Sequence, residues 1–121
     1  MMTTEAQRAE ALKVYAATIN NCQKMQPKFA PGTAQATLLL NRINALQVAA
    51  AVVGGNQQPL TNQELNAAIA PLASILHKTT KARSKYQPAA PTYQRLTPMI
   101  AAMVIGLDLI KQRMSQQEIK P

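Results

Sequence analysis

Three breaks rich in proline and glycine, at 27–32, 54–60 and 84–91, divide the chain into four segments. Between the breaks Ala, Leu, Gln, Lys and Met dominate, all good helix formers. No segment alternates apolar and polar residues long enough to read as a strand. The pattern therefore predicts an all-α chain with helices at about 4–25, 33–53, 62–84 and 92–115.

Start signals agree with these spans. Thr4 with Gln7 and Thr61 with Glu64 fit the capping box, in which each side chain satisfies a free backbone N–H at the helix start. Thr33 is placed to cap the second helix, and Gly54-Gly55 to stop it. Two prolines fall inside the expected helices. Pro71 and Pro98 predict kinks, because each removes a backbone hydrogen bond and crowds the preceding turn. The alternative is a shorter fourth helix capped by Thr97, with Pro98 at its first position. Residues 115–121 are expected to fray.

Apolar residues recur every three or four positions, which places each set on one helix face. The sets are Leu12, Tyr15, Ile19 and Cys22; Leu39, Ile43, Leu46, Ala50 and Val53; Leu65, Ile69, Leu72, Leu76 and Thr79; and Leu96, Ile100, Met103, Leu107, Ile110 and Met114. With 121 residues, no Trp and one Phe, this is a single domain with an aliphatic core.

The two halves resemble each other. With a shift of 57, residues 4–53 lie on 61–110 with nine identities: Thr4/Thr61, Ala11/Ala68, Ala16/Ala73, Lys24/Lys81, Lys28/Lys85, Pro31/Pro88, Leu39/Leu96, Ile43/Ile100 and Ala45/Ala102. Leu12/Ile69, Ile19/Leu76, Phe29/Tyr86, Leu46/Met103 and Val53/Ile110 match conservatively. The expected architecture is an up-down-up-down four-helix bundle made of a duplicated helical hairpin with pseudo-two-fold symmetry.

In that topology the first and third loops share one end. Lys24, Lys28, Lys78, Lys81, Arg83, Lys85 and Arg95 fall near it, with His77. No acid occurs between Glu10 and Glu64, or between Glu64 and Asp108. At the other end Arg8, Lys13, Lys111, Arg113 and Lys120 are offset by Glu5, Glu10, Glu64, Asp108 and Glu118. Arg42 lies mid-helix. Nearly all of the net charge of +8 is therefore expected at one basic pole. Cations at helix C-termini complement the helix dipole, but that does not account for an excess of this size.

Chemistry is sparse. One His, one Cys and five acids do not supply a zinc site of the usual His/Cys kind, nothing in the sequence names a partner for His77 as a general base, and no GxxxxGK or GxGxxG occurs. Glu64 is not followed by a His three residues later, so the di-iron helix motif is missing. No catalysis, cofactor or metal is expected. Cys22 has no intramolecular partner and shares a stripe position with Thr79, which suits a small packing residue in a reducing, cytoplasmic compartment. The N-terminus has no apolar core of a secretory signal. The uncharged apolar-rich stretch Leu96–Leu107 is too short to span a bilayer.

The composition points to a non-catalytic bundle that binds an anionic partner, an acidic protein first, through the basic pole. Nucleic acid is a further candidate: Lys78–Lys85 would meet phosphates, and Phe29 and Tyr86 would stack on bases or else close the ends of the core. In size, charge and expected fold the chain is similar to the bacteriocin immunity proteins, although no motif is shared. That likeness implies a membrane-peripheral protective role.

Overall fold

The computed structural model describes residues 3–56 and 58–119. Helices α1 (Glu5–Met25), α2 (Ala34–Val53), α3 (Asn62–Arg83) and α4 (Pro91–Ile119) form an up-down-up-down four-helix bundle, with one 3-10 turn at Gln26–Lys28. Each helix packs on its two neighbours. Across the diagonal α2 also touches α4.

The caps form as the sequence dictates. The hydroxyl oxygens of Thr4 and Thr61 accept from the backbone N–H of Gln7 and Glu64. Those two side chains accept in return from the threonine N–H groups, at 2.9 and 3.2 Å. Thr33 caps α2 through the N–H of Ala36. At the other end of α2, Gly55 N–H bonds to Val52 O and Asn56 N–H to Ala51 O. This pair of bonds turns the chain through a left-handed residue, and Gly55 takes it at φ +72°.

The fourth helix starts where expected and runs further than expected at its C-terminal end. It starts at Pro91 and runs unbroken through Pro98, so Thr97 does not cap a shorter helix. Instead the Thr97 hydroxyl donates back to Tyr93 O at 2.9 Å. Pro71 likewise sits inside a continuous α3. Nor does the chain fray at 115. Gln117 donates to the side chain of Asn62, and Arg113 donates to Gln58 O at 2.7 Å, which ties the last turns of α4 to the start of α3. Lys120 and Pro121 lie outside the described residues.

The core is aliphatic, as composition required. Tyr15, Leu46, Leu65, Leu72, Met103, Ile110 and Val53 are its largest fully buried side chains. Small residues let the diagonal helices approach: Ala49 and Ala102 are buried, and Ala49 faces Gly106. A Cβ placed on Gly106 would stand 3.4 Å from the Cβ of Ala49 and 2.8 Å from the Tyr15 hydroxyl. That hydroxyl donates to Ala102 O, so α1 is pinned to α4 at the point where α4 carries no side chain.

Matched positions of the two halves do not all share an environment. Ala45/Ala102, Leu46/Met103 and Val53/Ile110 are buried in both halves, and Cys22 and Thr79 are each 8% exposed. Leu39 and Ile43 are buried, whereas Leu96 and Ile100 are half-buried.

α2 is long and apolar enough to cross a membrane, with a mean hydropathy of 1.4 and 39% of that window buried. Arg42 divides its apolar residues into two runs. Its Leu39, Ile43, Leu46, Ala49, Val52 and Val53 all belong to the shared core.

Candidate functional site

The bundle topology sets the C-termini of α1 and α3 beside the N-termini of α2 and α4. Contacts between helices confirm this level. Arg83, last in α3, donates to Thr97 of α4 at 3.2 Å. Thr18 and Cys22 of α1 line one cleft together with Arg42 of α2, Lys78 and Thr79 of α3, and Met99 of α4.

The seven cations of this end are not equivalent. Lys24 lies in the last turn of α1, and Lys28 ends the 3-10 turn. Lys78 and Lys81 stand on the solvent side of α3, Lys85 in the third loop and Arg95 in the first half of α4; all six lysine and arginine side chains named here are exposed. Arg83 is half-buried. Its guanidinium carbon lies 4.7 Å from the centre of the Tyr93 ring, and with the bond to Thr97 this makes it a tether between α3 and α4. Sequence reasoning counted Arg83 as a free contact because nothing in its spacing reveals the ring across the corner.

The first turns of α2 and α4 carry no acid. The partial positive charge of those two helix ends thus adds to the side-chain charge. The five acids lie in the first half of α1 (Glu5, Glu10), the first turn of α3 (Glu64) and the second half of α4 (Asp108, Glu118). All belong to the other end. His77 is exposed on α3, one residue from Lys78.

The two loop aromatics part company. Phe29 packs half-buried against the core, whereas Tyr86 is 46% exposed. Only Phe29 closes the end of the bundle. Leu40 borders the same cleft as Phe29 and is 48% exposed, and Met25, next to Lys24 in the chain, is 43% exposed. The stripe of Leu39, Ile43 and Leu46 turns inward as its spacing predicts, which leaves Leu38 and Leu40 facing out.

Arg42 was expected mid-helix and without a role. It is half-buried, and its Nε has no hydrogen-bond partner among the described residues. Arg8 also has a buried, unpartnered Nε, but it shares its helix end with Glu5 and Glu10. Cys22 is buried. Burial pushes its thiol pKa up, and the nearby Arg42 charge pulls it down by less. Among the described residues, no three His, Cys, Asp or Glu side chains gather where they could hold a metal ion. A separate groove between α2 and α3, of about 480 Å³, is lined by Leu38, Ala45, Val48, Ala67 and Pro71, with Glu64 as its charge.

No protein-family model matches this chain, and neither a curated protein nor a solved structure is significantly similar to it.

Proposed function

We propose that this bundle is a non-catalytic binding protein that engages an acidic protein surface through its basic pole. The observation that carries the reading is the segregation of charge: seven cations at one end of the bundle, with every acid at the other. Such a surface attracts anions over about 8 Å at physiological salt and steers their approach. A duplicated hairpin accords with this reading, since it gives each loop of the pole the same two lysines, Lys24 and Lys28 in one half and Lys81 and Lys85 in the other.

The test is salt-dependent binding of polyglutamate, followed by fluorescence anisotropy. Lys81→Glu/Lys85→Glu is compared with Lys13→Glu/Lys111→Glu, which makes the same change in net charge at the opposite end. All four lysines are exposed, so neither variant touches the core. Loss of binding in the first variant alone supports the pole. Equal losses mean that charge acts diffusely and refute it.

A second reading is favoured by the end of α1 and the first half of α2. The exposed Met25 and Leu40, with Lys24 next to Met25 and Lys28 next to Phe29 in the chain, combine apolar and cationic groups, which suits an anionic membrane surface. Binding to anionic but not neutral vesicles, lost in Met25→Ser/Leu40→Ser, would select this reading over the acidic protein.

A further inference from the structure

One cleft joins Lys78 of the pole to Arg42, which the pole reading does not use. It has a volume of about 230 Å³; Ile75 and Met99 form its apolar wall, and Thr18, Cys22, Arg42, Lys78 and Thr79 its polar one. Arg42 brings a half-buried positive charge whose Nε–H has no acceptor among the described residues. That Nε–H is withdrawn from water, and a buried donor without an acceptor is costly. Among the described residues that line the cleft, none is acidic. Asp108, the acid on α4 closest in sequence to the cleft residue Met99, is nine positions beyond it, about 14 Å along the helix axis.

The other groups of the cleft are matched to an anion. Lys78 adds a second positive charge and three donors. The buried Thr79 hydroxyl donates only to the thioether sulfur of Met99, at 3.6 Å, and thioethers are weak acceptors. An oxyanion would be a better partner for it. The Cys22 thiol remains protonated, because burial raises its pKa, and so it puts no negative charge beside the ligand. Two cations balance a dianion. A guanidinium fork, an ammonium and a hydroxyl also give more donors than one carboxylate accepts, but suit a tetrahedral oxyanion.

We propose that this cleft binds a phosphate group, held by Arg42 and Lys78 with the Thr79 hydroxyl donating to it. The proposal goes beyond the basic pole, since Arg42 is not among the seven pole cations.

Isothermal titration calorimetry of the full chain with inorganic phosphate at constant ionic strength tests it. Wild type is expected to bind saturably. Arg42→Met and Lys78→Gln should each weaken binding by about tenfold or more, while Lys81→Gln, on the pole but outside the cleft, stays within about twofold. Arg42→Met keeps the apolar stem and removes the unpaired charge, so it is expected to melt no lower than wild type, which separates lost binding from lost folding. Glycerol phosphate bound as tightly as phosphate assigns the site to a phosphoester carried by a larger molecule; phosphate bound alone assigns it to the free ion. Heats no greater than those of acetate, or equal losses in Arg42→Met and Lys81→Gln, overturn the proposal. Polyglutamate binding lost in Lys81→Glu/Lys85→Glu while phosphate binding persists would show that the two sites stand independently.

Discussion

Gly106→Ala is the substitution on which two opposing effects can be separated. In an exposed helix interior, replacing Gly by Ala stabilises by about 1 kcal/mol, because Gly loses more backbone freedom on folding. At this position the new methyl would stand 2.8 Å from the Tyr15 hydroxyl, closer than carbon and oxygen tolerate, and 3.4 Å from Ala49 Cβ. The hydroxyl is the rigid end of a ring with no exposed surface, so it has nowhere to turn. Relief requires either moving α1 away from α4 or giving up the bond to Ala102 O. Overpacking costs about 1–3 kcal/mol and a lost buried hydrogen bond about 1 kcal/mol, so the two together exceed the propensity gain. The expected net loss is about 1–3 kcal/mol.

The same substitution made with Tyr15→Phe meets a different environment. Without the hydroxyl the nearest groups are Ala49 Cβ at 3.4 Å and the ring carbon at 3.6 Å, both near ordinary contact. Gly106→Ala should then be neutral or stabilise by up to about 1 kcal/mol. Urea unfolding followed by circular dichroism gives all four corners of this double-mutant cycle. If Gly106→Ala costs the same with and without the Tyr15 hydroxyl, the steric argument fails. If it stabilises the wild-type chain, α1 and α4 are not pinned there.

Four other predictions follow from the packing, the caps and the buried ionisable groups. Ile43, 4% exposed, should cost about 2–5 kcal/mol when cut to Ala, and the half-buried Ile100 less than about 2 kcal/mol, although the sequence gives them equal places; equal losses in urea melts would contradict the burial. Thr61→Ala removes both halves of a capping box and should cost about 1 kcal/mol, with Thr61→Ser restoring most of it; an unchanged unfolding midpoint would show that the cap does not matter. Burial raises the Tyr15 pKa, with a Gly106 N–H pulling the other way by less, so the folded state holds its proton while the unfolded chain releases it above about pH 10. Stability from this group is therefore full below that pH and falls as the pH rises through it, and Tyr15→Phe should flatten the fall between pH 9 and pH 11, roughly the range that brackets an ordinary tyrosine; parallel curves for the two proteins would refute the assignment. Cys22, buried and with a raised pKa, should react with Ellman's reagent far more slowly than in the urea-unfolded chain, and a comparable rate would place the thiol on the surface.

The local grammar of this chain is written residue by residue. Thr4, Thr33 and Thr61 start helices because a hydroxyl beside free backbone N–H groups satisfies them whatever else the chain does. Gly55 ends α2 because a left-handed residue is needed there. The stripes of aliphatic residues every three or four positions leave only a helical bundle as a way to bury them, and the antiparallel order of four helices joined by short loops follows. With that topology the charges sort themselves by chain position, so the basic end was legible before any coordinate.

Other features needed the third dimension, because they depend on side chains distant in sequence. Proline inside α4 did not shorten it, since packing against its neighbours outweighs one lost backbone bond, and Asn62 and Gln58 hold a tail that looks ready to fray. Arg83 becomes a tether only once Tyr93 stands across the corner. Gly106 is an unremarked residue in sequence, yet it is the place where a tyrosine 91 positions earlier rests on the backbone of α4. Arg42 reads as one more surface charge until α1, α3 and α4 close around it. Local propensity and periodicity act over a few residues and are legible in the chain. Burial, and the cost it places on a polar group, is a property of the assembled bundle.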